Sequence, residues 1–130
     1  MRERYEKISK KFSLPKFSEL DENFEIGKLD RETDIILKVI RKTMMEKIVN
    51  SMGFAEMLLN PMNAPKMYLN YVRTMSVDDK KRLETIYLKF AELSMLSLER
   101  EIDYEEKKEA ELIKEVIKVW NEMKSDFTAI

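Results

Sequence analysis

Acidic side chains crowd one stretch of the chain: Glu99, Glu101, Asp103, Glu105, Glu106, Glu109 and Glu111, relieved only by Arg100, Lys107 and Lys108. Carboxylate oxygens are hard ligands, and two of them on one helix face can hold Mg²⁺ or Mn²⁺ for nucleotide hydrolysis. Glu101 and Glu105 have that spacing. On a helix continuous through Asp103 they extend the direction of an apolar seam and point together toward a bundle axis. A solvated corner between two helices is the better reading. Ser94 and Ser97 have already turned the seam polar, Asp103 is suited to cap a following helix, and the second acidic cluster that two-metal hydrolysis needs is not evident elsewhere. An all-α metal-dependent nucleotide hydrolase, with Mg²⁺ as its only cofactor, is therefore the alternative function, and otherwise no cofactor is expected.

Other chemistries fail on composition. The chain has no His and no Cys, so it cannot build Ser-His-Asp triads, Cys-His dyads, His-containing zinc sites or Glu-x-x-His di-iron ligands. Gly27 and Gly53 are its two glycines, and neither opens the strand-turn-helix unit that cradles a phosphate. Lys plus Arg total 24 against 25 for Asp plus Glu, a net charge of -1. No long-range field gathers nucleic acid or anionic lipid. The basic groups Lys10–Lys11, Arg41–Lys42, Lys80–Arg82 and Lys107–Lys108 are interleaved with acids and read as solvated helix faces. Tyr68, Tyr71 and Arg73 could stack on a base, but tyrosines at this spacing more often form the edge of an amphipathic core. The expectation is no nucleic-acid partner and no membrane partner. With no apolar leader, no spanning segment of ~20 apolar residues and no cysteine, the expected location is cytoplasmic.

The elements that would position these residues are helices. Charged residues make up 38% and hydrophobic residues 44%, with three prolines, a composition suited to amphipathic helices. A single domain over residues 1–130 is expected. Residues 1–29 read as a short helix with Tyr5, Ile8 and Phe12 on one side, stopped by Pro15. An arm follows, laid over a surface through Phe17, Leu20, Phe24 and Ile26, with a turn at Gly27. The spacing predicts a long helix over 30–60, capped by Asp30, ended by Pro61, and with a bend possible near Gly53. Its core stripe is Leu37, Ile40, Met44, Ile48, Met52, Ala55 and Leu59. A short helix over 65–75 starts at Pro65. Ser76 with Asp79 resembles a capping box and opens a long helix over 77–102. A last long helix over 104–127 carries Leu112, Val116, Val119 and Met123. The fold class is all-α: an elongated antiparallel bundle of three long helices plus one or two short ones.

The helix over 77–102 has two seams. Leu83, Ile86, Phe90 and Leu93 form one, and Leu88, Ala91, Met95, Leu98 and Ile102 form another at alternating steps of three and four. Ile35, Ile36, Val39, Met45 and Val49 also widen the first long helix beyond its stripe. These apolar faces exceed what three helices can cover within one subunit. The bundle is therefore expected to self-associate, with Leu88, Ala91, Met95, Leu98 and Ile102 as the interface and the aromatic leader laid on or exchanged with a neighbour.

In length, helix pattern and residue usage the whole chain resembles small helical-bundle proteins of thermophilic archaea, and the many charges and missing Gln, His and Cys suit a heat-adapted source. In architecture it also resembles helical cobalamin adenosyltransferases, but it lacks a basic phosphate-binding signature. These resemblances imply a fold and no activity. The expected function is a homo-oligomeric interaction or scaffold protein without catalytic activity.

Overall fold

A computed structural model of the 130-residue chain describes residues 2–28, 35–60, 62 and 66–129, with the backbone alone for 28, 67, 68, 70, 71 and 127–129. The described residues form six α-helices and no strand: α1 (Arg2–Phe12), α2 (Phe17–Phe24), α3 (Ile36–Leu59), α4 (Lys66–Thr74), α5 (Val77–Ile102) and α6 (Glu106–Ala129), with a 3₁₀ turn at Ile26–Lys28. This is the all-α bundle that the apolar spacing predicts. At ~1.5 Å per residue, the 24 residues of α3 and the 26 of α5 make rods of about 36 and 39 Å.

Helices α3, α5 and α6 carry the core. Arg41 near the start of α3 reaches Ser97 near the end of α5, while Ala55 and Leu58 near the end of α3 cluster with Leu83 near the start of α5, so the two rods run antiparallel. Arg41 holds Ser97 near the end of α5 and Glu109 near the start of α6 together, while Lys89 farther back on α5 bonds Glu122 farther along α6 at 2.9 Å, which fixes the second antiparallel pair. Inside, Leu37, Ile40, Met44 and Ile48 of α3 meet Ile86, Phe90 and Leu93 of α5 and Ile113, Val116 and Trp120 of α6. The apolar periodicity of each helix thus converges on one interior. The α3 stripe differs at its end from the expected one: Leu58 is buried and Leu59 only partly so. Gly53 lies within the unbroken run of α3.

Local chemistry sets most helix ends. Ser76 Oγ accepts from the Asp79 N–H at 3.0 Å and the Asp79 carboxylate accepts from the Ser76 N–H at 3.2 Å, a complete capping box. Ser13 and Glu25 take positive φ and turn the chain out of α1 and α2. Gly27 donates its N–H to Asp21 Oδ1 at 2.7 Å, and a Cβ there would meet that same oxygen at 2.7 Å, so a larger residue would have to displace the Asp21 carboxylate. The expected cap Asp30 and the prolines Pro61 and Pro65 lie outside the described residues.

Residues 17–24 are a helix rather than the expected arm. Phe17, Leu20 and Phe24 share one face, and burying that face against α3 and α6 compensates for the shortness of the helix. In this structure the leader packs on its own subunit. Phe24 lies 5.2 Å from Trp120 between ring centroids, and Asn23 Oδ1 accepts from Trp120 Nε1 at 3.3 Å and Lys124 Nζ at 2.7 Å. Tyr5, fully buried, donates its hydroxyl to the Pro15 carbonyl.

Candidate assembly surface and the ionic clasp beneath it

Arg41 occupies a core position of α3, one turn after Leu37 and one before Met44 and Met45. Its side chain is 1% exposed. A guanidinium so buried must find anionic partners and satisfy its donors, and this one does both. Nε donates to Glu109 Oε2 at 2.9 Å and Nη2 to Glu109 Oε1 at 3.0 Å, a two-pronged pair with a fully buried carboxylate. Nη1 donates to Ser97 Oγ at 3.0 Å and to Glu101 Oε1 at 2.8 Å. One side chain therefore ties α3 to both α5 and α6. The expectation that Arg41–Lys42 marks a solvated face fails at Arg41 and holds at Lys42, which is exposed.

Electrostatics follow the geometry. Burial pulls the Arg41 guanidinium toward the neutral form, but the hydrogen bonds and charges of Glu109 and Glu101 prevail and hold its pKa above the ordinary value. Glu101 lies below the usual carboxylate range, first because Arg41 donates to it. Partial desolvation opposes that shift, and the charges of Arg41, Lys42 and Lys38 reinforce it. Lys38 Nζ stands 3.8 Å and Lys42 Nζ 3.9 Å from its oxygens.

Glu101 and Glu105 do not form a carboxylate pair. The continuous helix that would align them is absent: α5 ends at Ile102, Asp103 is extended and caps the C-terminus of α5, and α6 begins at Glu106. Glu105 instead pairs with Lys108 at 3.4 Å. Among the described residues no three acidic side chains gather as a group that could hold a metal ion. Arg73 is exposed on α4, while the Tyr68 and Tyr71 side chains lie outside the described residues.

Above the clasp, α3 and α5 leave an open groove of about 570 Å³, lined by Lys42, Met45, Glu46 and Val49 on one side and Ser94, Leu98 and Glu101 on the other. Its α5 wall continues into the second seam of that helix. Leu88, Met95, Leu98 and Ile102 are 56 to 82% exposed, with Val49 of α3 at 53%, and Ala91 is half-buried among them. The first seam, Leu83, Ile86, Phe90 and Leu93, is buried. The two seams of α5 thus have opposite fates within the subunit.

Sequence reasoning singles out Glu101 but does not join it to Arg41, Ser97 and Glu109, which give it its surroundings. Register carries the signal that would find them. Arg41 continues the Leu37 stripe, and Glu109 stands one turn before Leu112 and Ile113, so a cation and an anion occupy core positions on two different helices.

Comparison with protein-family models, with curated proteins and with solved structures finds no match to this chain. No helix among the described residues is long and apolar enough to cross a membrane.

Proposed function

We propose that this chain is a homo-oligomeric helical-bundle interaction protein without a catalytic role, assembling through the outer face of α5 and the α3–α5 groove. The observation that supports this is the exposed run Leu88, Met95, Leu98 and Ile102 with Val49 beside it. Single exposed apolar residues are ordinary on a monomer, but a contiguous apolar stripe rimmed by Lys42, Glu46, Glu92 and Glu99 has the composition of an interface. Spaced three and four residues apart, these side chains suit another helix, packing knobs into holes. The ionic clasp below serves as a rigid floor.

Native mass spectrometry with analytical ultracentrifugation tests this. The wild-type chain is expected to be an oligomer, and Met95→Glu to dissociate it to monomers with far-UV helicity unchanged, because the desolvated carboxylate has no partner in the interface. A monomeric wild type, or an assembly that Met95→Glu leaves intact, overturns the proposal. A nucleotide or divalent ion retained in the wild-type spectrum supports the hydrolase instead.

A further inference from the structure

A second cleft, of about 350 Å³, opens between α3, α5 and the far end of α6. Its walls are Phe54 and Ala55 of α3, Ile86 and Phe90 of α5, and Met123 of α6. Lys47 stands at its edge, the one charged side chain among the described residues that line it. The clefts elsewhere differ. The α3–α5 groove sets Glu46 and Glu101 beside Arg41 and Lys42, and a cleft between α5 and α6 sets Glu92, Glu115 and Glu122 beside Lys89 and Lys118. Those surfaces neutralise themselves, whereas this one presents a single sign of charge against apolar walls.

The surroundings of Lys47 hold its ammonium in place without neutralising it. Nζ donates to the Asn23 carbonyl and lies 5.2 Å from the ring centroid of Trp120 and 5.8 Å from that of Phe24. Asn23 is itself fixed: it is buried, its Oδ1 accepts from Trp120 and Lys124, and its amide donates to the Glu19 carbonyl at 2.8 Å. An ammonium has three N–H donors, and the Asn23 carbonyl takes one of them. The aromatic faces attract the charge but supply no counter-ion, and no carboxylate of the described residues pairs with it. A cation held ready over two rings beside an apolar cavity is complementary to a molecule that joins one negative charge to a compact hydrocarbon body.

We infer that this cleft binds a small apolar monocarboxylate, its head paired with Lys47 and its hydrocarbon body laid against Phe54, Phe90 and Met123. Size and charge set the class. Pockets that take drug-sized molecules run from ~300 to 1,000 Å³, and this one lies near the lower limit, which suits a medium-chain acid. A single lining cation matches one carboxylate and leaves the second charge of a dicarboxylate or phosphate ester against apolar walls, where it is costly. The site stands apart from the assembly surface, so a wild type that is monomeric and still binds keeps this inference.

Octanoate is the probe, titrated into the full chain by isothermal titration calorimetry, with ¹³C-methyl spectra to place it. Saturable binding at one site is expected, with shifts at the methyl groups of Ala55 and Met123 and none at Met45 in the α3–α5 groove. Octanol, of the same length and uncharged, is expected to bind about tenfold more weakly, and octylamine not at all. Lys47→Gln is expected to weaken octanoate about tenfold and Lys47→Arg by no more than about threefold, with circular dichroism unchanged. Trp120, the only tryptophan, gives a second reading, because a carboxylate on Lys47 alters the charge above its ring and hence its emission. No saturable octanoate binding, octanol bound as tightly as octanoate, or methyl shifts confined to Met45 overturns the inference. Lys47 also holds the end of α2, so if Lys47→Gln loosens that helix, the ratio of octanoate to octanol affinity in the wild type decides the matter without any substitution.

Discussion

Arg41 and Glu109 are the side chains whose environment departs furthest from their chemistry. Buried ion pairs add little to stability over apolar residues of the same shape, yet breaking one partner strands the other charge. Glu109→Gln, which keeps the shape and removes the charge, is expected to destabilise the chain by about 3 kcal/mol, a large share of the 5–15 kcal/mol typical of a domain. Arg41→Met combined with Glu109→Leu is expected to recover to within about 1 kcal/mol of wild type, and urea unfolding of the three chains checks both outcomes. Glu101 acts differently because its carboxylate reaches solvent. Its pKa is lowered in the folded chain, so its contribution is full above the unfolded value near 4.3 and is lost as pH falls through the lower folded value. Glu101→Gln should therefore flatten the acid limb of the stability profile below about pH 4.3, and urea midpoints measured between pH 6 and pH 3 test the sign. None of this clasp was legible in residue types alone: Arg41–Lys42 has the composition of a solvated pair, and only the register of each helix separates the buried member from the exposed one.

At the level of elements, the helices with strong local signals were the most legible. Both ends of α5 fall where the sequence places them, because Ser76 and Asp79 satisfy the first N–H groups reciprocally and the apolar spacing runs unbroken to Ile102. Ser76→Ala is expected to cost about 1 kcal/mol and to fray the first turn, visible as faster amide exchange of residues 77–80 while the middle of α5 is unaffected. The shorter elements were read less well. Phe17, Leu20 and Phe24 have helical spacing, but over eight residues that signal is weak, and the decisive term is burial against Trp120 and α3, which belongs to tertiary structure. At the end of α5 the sequence favours a corner at Asp103 over a helix continuous through it, and the structure turns there, with the Arg100 guanidinium donating to the Asp103 carbonyl at 3.2 Å.

For the whole molecule, the sequence showed an excess of apolar faces and singled out the second seam of α5, Leu88, Met95, Leu98 and Ile102, which the structure leaves exposed. The leader helices, one candidate for exchange with a neighbour, close over their own α3 and α6, so the surplus is left on α5 and the adjoining edge of α3. On the proposed self-association, a second copy buries that surface and stability is linked to concentration. The wild-type melting temperature should therefore rise with protein concentration, and Met95→Glu should abolish that dependence.

The clasp also bears on how the chain is made. Arg41 and Glu109 are separated by 68 positions, and at the ~5–20 residues per second of translation the guanidinium leaves the peptidyl-transferase centre several seconds before its carboxylate exists. During that interval α3 carries a charge in the middle of its greasiest face, with Glu101 and Ser97 arriving only shortly before Glu109. Stable docking of α3 into the hairpin of α5 and α6 must then wait until Glu109 has been made, and the newborn polypeptide holds this apolar rod unpaired until that moment.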